Sequence, residues 1–376
     1  MTPLVTQSAG SLGQIMSSYT SAHAVSGKTS FFAKLTRFSA MSAAAVALAL
    51  TVFAAPSARA ETEAGKEPIE YATPSALSSH DLLLAATMAG DRMIAVGQFG
   101  HVIYSDDGGK TWIQAKSVPT QVTLTSVYFI NDKLGFAGGH DSTVIRTEDG
   151  GDTWELSYHD IDAQAPLMTV YFTDENHGFA MGAFSFTIET KDGGKTWQQR
   201  ELIAGSNGDS HLNKTFATNA GTVLVAAEFG KVFRSEDGGT TFTDIATGYE
   251  GSFWGGMALK DGSALVFGMR GNVYRSTDEG QTWNPVNSGT DKSVGGGWEL
   301  DNGTIVLVGL QGYVGYSTDG GQNFTEVTRA DRLGYVAVLP AADNKIAVFG
   351  EPGVKLQPDE AAAAADAVGF KFNTGS

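Results

Sequence analysis

The chain contains no cysteine among its 376 residues. Disulfides, zinc–thiolate sites and cysteine nucleophiles are therefore excluded, whatever the redox compartment. Positive charge is also scarce, with 25 Lys and Arg against 41 Asp and Glu. Lys28, Lys34, Arg37 and Arg59 all precede residue 61 and no acid does, so the rest of the chain carries 21 basic against 41 acidic residues, a net charge of −20. Such a surface repels phosphate backbones and anionic headgroups, so nucleic acid is not expected as a partner. Beyond residue 60 no stretch approaches the ~20 apolar residues that span a bilayer. Apolar runs at helical spacing are few, whereas the 47 glycines point to short strands and tight turns.

The single long apolar run is N-terminal. Basic residues up to Arg37 precede "FSAMSAAAVALALTVFAA" from Phe38, and "SARA" then offers small residues at Ala58 and Ala60. This is the layout of a secretory signal peptide, residues 1–60, cleaved after Ala60. An uncleaved anchor is the alternative, and the long n-region makes Met41 or an earlier methionine a candidate start. Residues 61–376 are then expected as one exported domain, in the periplasm or an equivalent lumen, monomeric and without cofactor or metal.

That domain is repetitive. "SDDGGKTW" from Ser105 recurs from Thr147, Thr190, Ser235, Ser276 and Ser317, at offsets of 42, 43, 45, 41 and 41 residues. Upstream of each copy runs an apolar strand, a polar turn, a second strand, a glycine-containing turn and a third strand. A period of ~40–50 residues with four short strands per unit is the signature of a β-propeller. Counting inner strands gives seven units, the last running from Gly334 to Leu356 without an octet. The fold is thus read as all-β, a seven-bladed β-propeller of four-stranded blades. Six blades carry the octet and the last is closed by a terminal strand. "PIEYATP" at Pro68 is preferred for that closure over "VGFKFN" at Val368. The intervening "DEAAAAADA" from Asp359 reads as a short helix or tether.

The octet follows the pattern of the Asp box, or BNR repeat, a turn between third and fourth strands. Its carboxylates, Asp107, Asp149, Asp192, Asp237, Asp278 and Asp319, can accept from the loop's own amides. Its aromatics, Trp112, Trp154, Trp197, Phe242, Trp283 and Phe324, can bury apolar surface between blades. Repeat-equivalent residues in a ring do not converge, so the boxes are read as structural.

The turn joining second and third strands varies while its frame stays fixed: "GQFGHV" from Gly97, "GGHDST" from Gly138, "GAFSFT" from Gly182, "AEFGKV" from Ala227, "GMRGNV" from Gly268, "GLQGYV" from Gly309 and "GEPGVK" from Gly350. These turns are expected opposite the boxes and nearer the axis. They would present His101, His140, Asp141, Phe184, Glu228, Phe229, Lys231, Arg270, Gln311, Tyr313 and Glu351 around a central mouth. Mixed aromatic and charged residues of this kind suit recognition of a partner. His101, His140 and Asp141 are close enough in the repeat to raise a metal or general-base reading, but no ligand spacing fixes one.

The repeat as a whole resembles the photosystem II stability and assembly factor family of seven-bladed propellers. "SVYFINDKLGFAGGHDSTVIRTEDGGDTW" from Ser126 and "TVYFTDENHGFAMGAFSFTIETKDGGKTW" from Thr169 carry the resemblance most strongly. It implies a non-enzymatic module, exported or lumenal, that holds a membrane-protein subunit during assembly. The family's arginine-rich patch is not carried over, because eight arginines remain beyond residue 60 and Arg146, Arg234 and Arg275 take equivalent positions that spread them around the rim. Asp boxes also occur in sialidases, which need three arginines converging on a carboxylate, a Tyr–Glu nucleophile pair and an acid/base Asp. The Phe-Arg-Ile-Pro motif of that family is absent, although Asp141, Glu228 and Glu351 share the turns. A glycan-binding propeller using Phe184, Phe229, Trp254, Trp298 and Tyr313 is the third reading. There the glycines beside the two tryptophans leave room near the axis.

Overall fold

A computed structural model describes residues 69–203 and 210–357. The segment expected as a signal peptide, the "DEAAAAADA" stretch and the strand candidate at Val368 lie outside the described residues. The described chain forms seven antiparallel sheets. Six are four-stranded meanders: blade 1 (residues 83–114), blade 2 (124–158), blade 3 (167–199), blade 4 (212–246), blade 5 (253–286) and blade 6 (294–328). Blade 7 (335–357) has three strands among the described residues. The first strand of each blade packs beside the first strands of both neighbours, and Leu83–Ala89 of blade 1 meets Tyr335–Ala341 of blade 7, which closes the ring. Among the described residues no helix is long and apolar enough to cross a membrane.

Burial explains the strand sequences. The second strands of blades 2–6, such as Val223–Ala227 and Ile305–Gly309, are buried at every position. Both of their faces lie under neighbouring blades, so they read as continuous apolar runs instead of alternating ones. The fourth strands, such as Glu155–Tyr158, stand at the rim and are largely exposed. Seven apolar clusters fill the seven gaps between consecutive blades. Ile94 and Val96 of blade 1 meet Phe129 and Trp154 of blade 2, and Leu83 and Ile103 of blade 1 meet Leu339 and Phe349 of blade 7. Each large side chain so buried contributes about 1.5–3 kcal/mol.

The closing strand expected at "PIEYATP" is not found. Residues 69–75 form no strand and bond instead to the rim of blade 1. The Ala72 N–H donates to the Val118 carbonyl (2.9 Å). The Gln114 side chain accepts from the Ser75 N–H (2.8 Å) and donates to the Thr73 carbonyl (3.1 Å). Pro74 has no N–H to give to a ladder, and Gln114 supplies the bonds that a paired strand would have made. The following turn, Ser78–His80, then packs on the third strand of blade 7. There Gly353 approaches so closely that a Cβ would lie 2.1 Å from the Ser79 carbonyl oxygen.

Candidate partner-binding face

Antiparallel blades give the ring two chemically different faces. One holds the Asp boxes and the turns between first and second strands. The other holds the turns between second and third strands and the links from blade to blade.

On the box face the repeated polar groups of each octet are bonded within their own loop. In blade 1, Asp107 Oδ2 accepts from the Thr111 hydroxyl (2.6 Å). Its Oδ1 accepts from the Lys110 and Thr111 N–H groups (2.9 Å each) and the Ser105 hydroxyl (2.8 Å). The Ser105 oxygen in turn receives the Gly109 N–H (2.8 Å). These donors, the Thr111 hydroxyl foremost, hold the Asp107 carboxyl down at about 2. Asp192 and Asp237 sit in equivalent shells, also at about 2. Asp149 and Asp278 bond Thr153 and Thr282 in the same way, and Asp319 uses Asn323. Trp154, Phe242, Trp283 and Phe324 are buried and Trp112 and Trp197 half-buried, each against the preceding blade.

The preceding blade also sends an arginine back to the box. Arg146 Nε donates to the Gly193 carbonyl (2.9 Å), Arg234 Nε to that of Glu279 (2.6 Å) and Arg275 Nε to that of Gly320 (2.9 Å). Arg92 and Arg200 reach the Gly150 and Gly239 carbonyls (3.0 Å each). These five arginines are interblade staples at five separate interfaces. Arg329 is held by Asp331 (2.6 Å). The remaining two, Arg270 and Arg332, are exposed, and among the described residues no hydrogen bond or ion pair holds either guanidinium.

The other face is built from one device repeated six times. Both central residues of each turn between second and third strands have positive φ, the mark of a type I′ hairpin. The first central residue is Phe99 (φ 61°), Asp141 (52°), Phe184 (54°), Phe229 (59°), Arg270 (55°) or Gln311 (56°). The second is Gly100, Ser142, Ser185, Gly230, Gly271 or Gly312. Glycine at this second place answers to space as well as to φ. A Cβ on Gly230 would lie 1.7 Å from the Tyr249 carbonyl oxygen of the adjoining link. Where serine replaces glycine, its hydroxyl bonds the link instead: Ser142 to the Ala165 carbonyl (2.7 Å) and Ser185 to that of Ser210 (3.1 Å).

The first central residue is the tip. Phe99, Phe184 and Phe229 are 51%, 52% and 56% exposed there, and Asp141, Arg270 and Gln311 are exposed as well. Phenylalanine is a poor choice for such a position on two counts. Left-handed backbone costs a residue with a Cβ roughly 1–2 kcal/mol, and at this exposure the ring recovers little by burial. A hairpin of this type ordinarily takes Asn, Asp or Gly. Three exposed rings at strained positions on one face point to an interaction surface.

The other residues expected at an open mouth are placed differently. Tyr313 is fully buried, and its hydroxyl donates to the Ser288 carbonyl (2.9 Å). His101 is buried under the Phe99 ring (5.8 Å between centroids), with Nδ1 3.1 Å from Asp81 Oδ2. That contact has the distance of an ion pair but not the alignment of a hydrogen bond, since the same nitrogen has no hydrogen-bond partner. Lys231 pairs with Asp244 (2.7 Å). Glu228 accepts from the His211 N–H (3.1 Å), and Glu351 from the Gly334 N–H (3.3 Å). His140 is half-buried, and that burial pushes its imidazole below the ordinary histidine range. Among the described residues no three His, Asp or Glu side chains assemble into a metal-holding group.

Two expectations are thereby corrected. The turns join second and third strands, so they stand at mid-radius, outside the ring of first strands, and do not line a central mouth. The residue after the turn glycine opens the third strand at Lys231 and Tyr313 and directly precedes it at His101, and is drawn into the blade or paired across its surface. Phe99 was missed, although a Phe at the first central place of "GQFGHV" is itself the anomaly. The room expected beside Trp254 and Trp298 is filled. A Cβ on Gly256 would meet the Phe216 ring at 2.3 Å, one on Gly255 the Phe267 ring at 2.3 Å, and one on Gly296 the Val336 carbonyl at 2.4 Å. Trp298 itself packs into the clusters flanking blade 7.

The fold and its two faces define the class as a seven-bladed Asp-box propeller with a variable turn face. Comparison with known proteins then narrows it. The family described as photosynthesis system II assembly factor YCF48 matches residues 157–338, and the BNR/Asp-box repeat matches residues 103–112. The matched repeats and the seven-bladed fold support a photosystem II assembly factor-like family for this chain. Among solved structures it is similar to "YCF48 bound to D1 peptide" (18% identity, TM-score 0.60), over 78% of this chain and 97% of that one. It is also similar to "YCF48 from Cyanidioschyzon merolae" (15%, TM-score 0.56), over 74% and 95% respectively. The WD40 propeller domain of Doa1 is matched at 15% identity and the same TM-score, 0.56, over 78% of this chain and 97% of that one. These likenesses therefore show the fold, and the family rests on the matched repeats. No curated protein sequence matches the chain.

Proposed function

We propose that this is an exported, non-enzymatic propeller that holds a segment of a membrane protein on its turn face during assembly of a membrane complex. The observation that carries the reading is the set of exposed phenylalanine tips, Phe99, Phe184 and Phe229, in left-handed backbone that disfavours them. The family supports the direction, since one solved relative was determined with a D1 peptide bound. The acidic surface and the engagement of five arginines between blades argue against a carboxylate-binding hydrolase site of the sialidase type.

Affinity capture of the signal-free protein from crosslinked membranes of its own host tests the reading. An integral membrane protein recovered above a tag-only control is the expected result. Recovery of soluble proteins alone, or saturable binding or cleavage on a glycan panel, would replace the assembly role with another.

A further inference from the structure

The two faces differ in where apolar side chains are exposed. Ile113 and Leu156 lie on fourth strands at the rim. Every other exposed large apolar side chain among the described residues, Phe99, Phe184, Phe229, Met269 and Ile161 included, lies on the turn face, on its links or on the N-terminal segment against them. The box face shows carboxylates instead. Around the ring the phenylalanine tips belong to blades 1, 3 and 4. Arg270 stands on the tip of blade 5, and Arg332 on the link from blade 6 to blade 7.

Those two arginines stand apart from the rest. Arg92, Arg146, Arg200, Arg234 and Arg275 each donate to a box carbonyl, and Arg329 is held by Asp331. Arg270 and Arg332 both have left-handed backbone (φ 55° and 53°), and among the described residues neither side chain is held by an acceptor. In a chain with such an excess of acid, a guanidinium without a carboxylate is the exception. A guanidinium fork matches a carboxylate in two parallel hydrogen bonds, and an exposed ring at a fixed tip matches an apolar side chain.

We infer that the turn face recognises an extended peptide segment that combines apolar side chains with a carboxylate, its apolar part on Phe184 and Phe229 and its acidic part on Arg270 and Arg332. Charge complementarity commits the occupant to an acidic and apolar segment of another protein. The inference rests on the assembly reading for its setting, a membrane-protein partner, but the recognition chemistry is testable without it.

A random dodecapeptide phage library panned on the immobilised signal-free protein is the test, with two variants in parallel. Asn is at home in a type I′ turn, so F184N/F229N keeps the fold, which circular dichroism verifies. The wild type should enrich peptides pairing Asp or Glu with Leu, Phe or Tyr. R270E/R332E should exchange that preference for Lys and Arg, and F184N/F229N should lose the apolar residues. A synthetic copy of the leading wild-type peptide should bind each variant at least about tenfold more weakly. Enrichment of basic peptides on the wild type, or preferences unchanged in both variants, overturns the inference. Association of the protein with zwitterionic vesicles or with itself, lost in F184N/F229N while no peptide is enriched, overturns it in favour of a lipid surface or a second copy. A membrane partner captured equally by wild type and both variants leaves the assembly role standing and removes this site. The expected peptide preference with no membrane partner does the reverse.

Discussion

The two faces of this ring are made from the same strands and spend their side chains in opposite ways. On the box face, sequence repeats where residues are engaged. Asp107 gathers four donors from its own loop and its counterparts three or four, the aromatics enter the gap between blades, and arginines close it from the other side. On the turn face the backbone repeats equally well, with six type I′ turns, but the tip residue runs through Phe, Asp, Phe, Phe, Arg and Gln. Regularity of sequence marks what holds the ring together. Regular backbone carrying irregular and locally disfavoured side chains marks what the ring presents.

The comparison predicts a graded set of outcomes. Trp154→Ala, which empties the gap between blades 1 and 2, should destabilise by about 3–5 kcal/mol in chemical denaturation. A loss under about 1 kcal/mol would remove the boxes from their structural role. Tyr313→Phe strips a buried hydroxyl from its carbonyl acceptor and should cost roughly 1–2 kcal/mol. An unchanged midpoint would put that tyrosine back on the surface. Acid should act through the box face. The Asp107, Asp192 and Asp237 carboxyls lie at about 2 when folded, below their ordinary range. Their contribution is therefore complete above about pH 4 and is lost as pH falls towards 2. A far-ultraviolet acid titration of the wild type should show the loss in that window, and Asp192→Asn should flatten it. Phe184→Asn removes a ring from a backbone that suits Asn better, so thermal stability should hold or rise, by up to about 1 kcal/mol. A clear loss would mean that the exposed ring is packing after all. Arg270→Glu should move stability least, within about 0.5 kcal/mol.

Most of the architecture was legible because the constraints that build it are local and repeated. The glycines and carboxylate of the octet, the 41–45-residue spacing and the uninterrupted apolar second strands each have a single physical reading, and together they fix blade number and strand order. Closure was not legible. Whether "PIEYATP" pairs with blade 7 or lies on blade 1 depends on the Gln114 side chain, some forty residues away. The turn face was legible as a place and not as a list of residues. His101, Lys231 and Tyr313 were drawn into it because a hairpin's sequence does not display which residue is the tip. The rule that would have sorted them is conformational. The residue before the turn glycine projects and the one after it begins a strand, which also singles out Phe99.

The interblade staples have a consequence for how the protein can change over time. At five of the seven joints an arginine from one blade grips the box of the next while that box's aromatic leans back on the blade that sent the arginine, so each of these joints has both a latch and a hinge pin. The angle at which one blade meets another is thereby built into most of the ring. A ring of such joints has a preferred integer. Removing a repeat would not simply shorten the protein, as it can in an open solenoid, but would require every remaining joint to widen. New functions are therefore reached more readily by exchanging tips than by exchanging blades.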